Sequence, residues 1–242
     1  PRAIHEGTAD YYAANLTEDP NMSEYIDIGR HLVNDNRCPD DMLGLDEHYD
    51  GKVIGGAFWA IREAVGPEIA NAIIFRGLDL IPRDSSFRAF SEGIMSAAGD
   101  MVAAGDMTDA ERAAVQAVLD ERGLSICDRF IALEDGGEPM TAAVFGFIMF
   151  GACDFMAFVE SLGYSLPSAF QWTIDVPDTA TTLTVSFEKE IAGGEGKHWL
   201  YVRRDEPVEF ELIDVYGYLI PVKAVVFDGS FAEADGFTLT PY

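Results

Sequence analysis

The chain has 242 residues, 48% of them hydrophobic and 12% aromatic, which is enough for one or two domains with a buried core. Its 42 acidic residues outnumber the 16 basic ones and give a net charge of −26. A surface of that sign repels nucleic-acid phosphates and anionic membranes, so neither is expected as a partner. The acids are spread along the chain, which favours solubility or adaptation to salt over a specific cationic partner.

The chain begins with Pro1-Arg2 and carries neither an initiator methionine nor a signal peptide, so we expect a processed or excised piece. Its most apolar stretch starts at Met140, but the uncharged run ends at Cys153, before Asp154. A membrane-spanning helix needs about 18 or more apolar residues. This stretch therefore predicts buried core or a contact between domains, and no membrane span.

The first half of the sequence has the periodicity of helices. Residues 51–65 carry apolar side chains at three- and four-residue spacings, and Gly66 ends that segment. Pro67 can open the next helix, and Asp84 or Ser85 is the expected N-cap of the one after it.

The end of this helical half has recognisable capping signals. Thr108 and Glu111 have the spacing of a capping box, and Gly123 stands where a helix commonly ends. We therefore predict an all-helical unit over residues 1–127.

The second half changes character near Pro167. Leu183, Val185 and Phe187 alternate with polar residues, which is the pattern of a half-buried strand, and several short strand-like runs follow between glycines and prolines. The predicted fold class is therefore multi-domain, with a small antiparallel β-sandwich over 167–242 and a connector packed between the domains over 128–166.

Two acids near the start share a helix face. Glu6 and Asp10 are four residues apart, as a metal ligand and the group that orients a ligand can be. Gly7 between them would allow a close approach to the backbone. The alternative is a solvated acidic helix start, favoured by the helix dipole.

The stretch EHYDGKVIGGAFWAIREAVG, with His48 just ahead of a glycine-bearing helix, resembles the thermolysin-like (gluzincin) zinc metallopeptidases. The following ANAIIFRGLDLIPRDSSFRAFSEGIMSAAGDM and DAERAAVQAVLDERGL are similar to the last helices of that family. The resemblance covers residues 3 to 126 and implies the C-terminal helical subdomain of such an enzyme.

This resemblance implies a role for each matched residue. Glu6 would be the third zinc ligand, and Asp10 would accept a hydrogen bond from a zinc-bound histidine. His48 would donate to the oxyanion, and Arg30 would bind the substrate carbonyl. The carboxylates of Glu6 and Asp10 would then face an open, solvent-filled cleft.

Each role has a simpler alternative. Arg37 is a rival for the part given to Arg30, and Arg30 itself could form a plain salt bridge. His48 could be an ordinary loop histidine. Three other positions have simpler interpretations. His5 is expected to be a neighbour of the site, His31 a structural or surface residue, and Trp59 a core residue.

The family's zinc is also held by a His-Glu-x-x-His helix, and this sequence contains none. A catalytic zinc needs three protein ligands, so the chain by itself is expected to lack zinc and to be inactive. The resemblance thus implies one part of a secreted zinc metalloendopeptidase that acts on peptides or proteins and whose HExxH subdomain is missing here. The alternatives are a non-catalytic binding or adhesion module derived from that fold, and a helical domain with a sandwich of unrelated origin.

The second half, with FQWTIDVPDTATTLTVSFEKE and HWLYVRRDEP, resembles the pre-peptidase C-terminal domain of secreted bacterial peptidases. Where many such domains carry acids that bind calcium, this chain has Gly196-Lys197-His198-Trp199, so calcium is not expected and His198 is interpreted as a surface residue. The resemblance implies a secreted, cell-surface or periplasmic location of bacterial type.

Three cysteines, Cys38, Cys127 and Cys153, allow three disulfide pairings, and the absence of a CxxC pair argues against a cysteine zinc site. Secretion favours one disulfide. Cys38 and Cys127 both belong to the helical unit, so that pair is the preferred one.

Overall fold

The structure is a computed structural model that describes residues 2–22, 30–42, 47–82, 85–133, 170–177, 179–180, 183–185, 199–203, 205–215, 218–226, 229–232 and 237–239. Five helices occupy the first part of this range. They are α1 (Arg2–Thr17), α2 (Glu47–Val65), α3 (Pro67–Leu80), α4 (Phe87–Ala104) and α5 (Asp109–Glu121).

The helix ends follow from capping chemistry. The capping box predicted for α5 is confirmed, because the Glu111 amide donates to the Thr108 hydroxyl at 3.2 Å and the Thr108 amide donates to the Glu111 carboxylate at 2.7 Å. Gly123 follows α5 with a φ of 67°, the left-handed conformation that glycine adopts at low cost. The N-cap of α4 is Ser86, whose hydroxyl accepts from the Ala89 amide, rather than Asp84 or Ser85 as predicted.

An aromatic chain joins the helices at the centre of the core. Tyr11 on α1 meets Phe58 on α2 edge to face, and Phe58 meets Phe90 on α4 in the same way, each with ring centroids 5.5 Å apart. The Tyr11 hydroxyl, fully buried, donates to Asn71 of α3 at 2.8 Å. Four helices are thus tied together by three rings and one hydrogen bond.

Short strands accompany the helices and fill the later part of the described chain. β1 (Asn21–Met22) pairs with β2 (Arg30–His31), so the first half is not purely helical. The other strands are β3 (Phe130–Ala132), β4 (Gln171–Thr173), β5 (Leu183–Val185), β6 (Trp199–Val202), β7 (Glu209–Val215), β8 (Tyr218–Val226), β9 (Gly229–Ala232) and β10 (Phe237–Leu239).

The predicted β-sandwich is wrong. The described strands form five two-stranded sheets, β1–β2, β3–β4, β5–β10, β6–β9 and β7–β8, whereas a sandwich needs two larger sheets packed face to face. Alternation of apolar and polar residues is a local signal. It identified β5 as a strand, but it does not say how many partners a strand will have.

The chain divides into two compact units. Among the described residues, the first holds 2–131 and Phe170, and the second holds Ala132, Leu133 and the residues from Gln171 onward. Most of the predicted connector, residues 134–166, lies outside the described residues, as do Cys153, His198 and the apolar stretch that starts at Met140. No helix within the described ranges is long and apolar enough to cross a membrane.

A disulfide joins Cys38 to Cys127, the pair preferred from the sequence. Both cysteines are buried, and the Cys38 amide donates to the Arg122 carbonyl at 2.9 Å. The Arg122 side chain in turn donates to the Asn36 carbonyl at 3.2 Å. The segment between β2 and α2 is therefore fastened to the end of α5.

Candidate functional site

Helix α1 brings Glu6 and Asp10 onto one face, as their spacing predicts. The two side chains differ in exposure, because 34% of Glu6 but only 8% of Asp10 is open to solvent. The expectation that both carboxylates face an open, solvent-filled cleft is therefore wrong for Asp10, which is covered by the protein.

Arg30 reaches these acids from β2. Its Nη1 atom donates to Asp10 Oδ2 at 2.9 Å and lies 3.9 Å from Glu6 Oε2. Strand β2 is held in place by its pairing with β1, where Arg30 lies opposite Met22. The pairing thus fixes the backbone from which the guanidinium extends.

His48 comes from the first turn of α2 and completes the group. Its Nδ1 atom lies 2.8 Å from Glu6 Oε2, and 58% of its side chain is exposed. Glu6, Asp10, Arg30 and His48, which we call the charged cluster, thus lie together although they come from three separate elements. They are the four residues that the resemblance selected.

Burial raises the pKa of the Asp10 carboxyl above its ordinary value, and the nearby Glu6 charge acts in the same direction. The Arg30 guanidinium and His48 lower that pKa, but together they do not offset burial and the Glu6 charge. The ionised form of Asp10 therefore depends on Arg30 as its counter-charge. The described hydrogen-bond partner of Asp10 is this arginine, whereas the resemblance implied a zinc-bound histidine.

The close approach expected at Gly7 is made by the protein itself. A Cβ atom on Gly7 would lie 2.4 Å from the Gly51 carbonyl oxygen and 2.9 Å from the Gly55 nitrogen, so the backbones of α1 and α2 touch there. This contact sets the distance between Glu6, next to Gly7, and His48, one turn before Gly51. Sequence reasoning did not identify the partner of Gly7, although the glycines of α2 are the signal for it.

The rival candidates lie outside the charged cluster as described. Arg37 is exposed, and its backbone amide donates to Asp41. His31 is exposed and its Nδ1 atom lies 2.8 Å from Asn21 Oδ1, while His5 is exposed on α1. Trp59 is buried, as expected for a core residue.

The described residues do not form a complete zinc site. Among them no group of three or more His, Cys, Asp or Glu side chains is placed to hold a metal ion. What the charged cluster offers is one carboxylate, that of Glu6: both of its described contacts use Oε2, and none within the described residues uses Oε1. The donor set therefore fits one zinc ligand out of the three that a catalytic site needs.

Comparison with protein-family models, curated protein sequences and solved structures finds no match to this chain.

Proposed function

We propose that this chain is one part of a secreted zinc metalloendopeptidase and supplies its third zinc ligand and its oxyanion-stabilising groups. The observation that carries the proposal is the charged cluster. Four residues chosen through the family resemblance each lie within 4 Å of at least one other member, although two of them come from β2 and α2 rather than from α1. Because these residues were selected by their resemblance to the peptidase family, their close approach in space supports the proposal.

Each residue of the cluster has a task that its surroundings suit. Glu6 would hold the metal through Oε1 while His48 and Arg30 fix its orientation through Oε2. Asp10, which is buried and accepts a hydrogen bond from Arg30, would hold that guanidinium in place. His48 and Arg30 would also donate hydrogen bonds to the oxygen that becomes negative when the peptide bond is attacked.

Arg30 has donors to spare for a substrate carbonyl. Its contacts within the described residues use Nη1, which leaves Nε and Nη2 of the guanidinium. The exposure of His48 keeps its ring within reach of a peptide. When bound, zinc would supply the activation of the attacking water.

The disulfide supports the secreted location in this proposal. Disulfides persist in oxidising compartments and are rare where thiols are kept reduced. The Cys38–Cys127 bond lies in the same unit as the charged cluster. The site would therefore work outside the cytosol.

The test requires the HExxH ligands, so the chain should be produced together with the segment encoded before it. We expect this longer protein to cleave a fluorogenic peptide in the presence of zinc, and the 242-residue chain alone to show no cleavage. His48→Gln should lower kcat about 100- to 1,000-fold, as the loss of one oxyanion donor does elsewhere.

His31→Gln is the matched control, because His31 is an exposed histidine bound to Asn21 and outside the cluster. It should leave kcat unchanged. If the longer protein has no HExxH helix and does not cleave the peptide, the proposal is overturned in favour of the non-catalytic binding module. Cleavage by the 242-residue chain alone would contradict it as well.

A further inference from the structure

A small apolar cluster is separate from the main core. It consists of Ala14, Leu32 and Trp59, with 0%, 2% and 7% of their surface exposed. The main core is built from other residues, of the five helices and of the segments around them, and does not include these three. We call this group the apolar anchor.

The apolar anchor draws its residues from the same three segments as the charged cluster. On α1, Ala14 follows Asp10 by one helical turn, on the face that also carries Glu6. On α2, Trp59 follows His48 by eleven residues, which is about three turns. Leu32 is two residues beyond Arg30.

Leu32 is the point at which the Arg30 segment is attached to the helices. Its amide donates to the Pro20 carbonyl at 2.9 Å, and its side chain fills the space beside Gly55 of α2. A Cβ on Gly55 would lie 2.7 Å from Leu32 Cδ2, so the leucine rests directly on that helix.

Trp59 forms the other wall of the anchor and is itself held. The Arg62 guanidinium lies 4.6 Å from the centre of the Trp59 ring, and its Nε atom donates to Asn15 of α1 at 2.9 Å. The wall is thus tied to α1 one residue after Ala14.

We propose that Leu32 and Trp59 are positioning residues that hold Arg30 against the Asp10 carboxylate. Strand β2 also pairs with β1, but through only two residues from each strand, and so short a pairing is weak on its own. Because burial of Leu32 fixes the backbone two residues away, it limits where the guanidinium can lie. The importance of Arg30 for a substrate rests on the proposed function, but its placement by the anchor does not.

A double-mutant cycle measures this coupling in the 242-residue chain without any assay of activity. The variants are Leu32→Ala, Arg30→Met and the double variant, each unfolded with urea. If Leu32 positions Arg30, Arg30→Met should lower the folding equilibrium constant less in the Leu32→Ala background than in the parent. The two effects should differ by a factor of at least about five, which corresponds to roughly 1 kcal/mol of coupling.

Leu119→Ala is the matched control, since Leu119 is a fully buried leucine of α5 in the main core. Its effect should add to that of Arg30→Met without coupling. Should either alanine variant fail to fold, Leu32→Val and Leu119→Val replace the pair.

Three outcomes overturn the proposal: additive effects at Leu32, equal coupling at Leu32 and Leu119, or no effect of Arg30→Met in the parent chain. Coupling at Leu32 without coupling at Leu119 supports it. Failure here leaves the proposed function standing, because that function is tested by peptide cleavage.

Discussion

Replacing Gly7 by alanine is expected to destabilise the helical unit by about 1–3 kcal/mol, the usual cost of forcing a methyl group into a filled space. The new Cβ would lie 2.4 Å from a carbonyl oxygen of α2 and 2.7 Å from Ile54 Cβ. Backbone atoms cannot rotate away as a side chain can, so α1 and α2 must separate. Glu6 would then move relative to His48, and the contact between Glu6 Oε2 and His48 Nδ1 should be lost.

The matched control for this change is Gly99→Ala. Gly99 lies inside α4, and the nearest atom to its added Cβ is Arg112 Nε at 4.0 Å. Alanine is a better helix former than glycine, so this variant should be about 0.5–1 kcal/mol more stable than the parent. Urea unfolding followed by circular dichroism compares the two, and equal stabilities would refute the backbone contact between α1 and α2.

Reduction of the Cys38–Cys127 disulfide is expected to lower the free energy of unfolding by about 2–5 kcal/mol. The bond joins residues 89 positions apart, so it removes a large amount of freedom from the unfolded chain. Both sulfurs are buried within the main core, which means that their separation also disturbs packing.

Guanidinium unfolding with and without a thiol reductant measures this contribution. The double variant Cys38→Ala/Cys127→Ala is the control, and its unfolding midpoint should not respond to the reductant. A parent chain whose midpoint is equally insensitive would show that the bond does not stabilise the fold.

The sequence predicted the helices well because their signals are local. Thr108 and Glu111 identify a helix start by themselves, and the periodicity of residues 51–65 identifies α2, which begins four residues earlier at Glu47. The β-sandwich failed because sheet formation depends on distant partners. Leu183 and Val185 show a strand, but nothing in them predicts that their partners among the described residues are Leu239 and Phe237.

The members of the charged cluster were named through the family resemblance, which did not give their environment. Asp10 is buried and is paired with Arg30, which lies twenty residues away in the sequence. The apolar anchor was not predicted either. Ala14, Leu32 and Trp59 belong to three separate segments, and residue spacing along the sequence does not show that these segments come together. Tertiary packing decided both features.

The central claim is that Glu6 binds a zinc ion whose other ligands lie outside this chain. The most direct measurement is the zinc content, after dialysis against a fixed free zinc concentration, of the protein extended by the segment encoded before this chain. We expect one zinc per molecule in the extended protein and strong loss of zinc from its Glu6→Gln variant. The control is Glu92→Gln, at an exposed acid of α4, which should keep one zinc per molecule. The 242-residue chain should hold no zinc. An extended protein that keeps its zinc in Glu6→Gln, or a 242-residue chain that holds one zinc by itself, would contradict the claim.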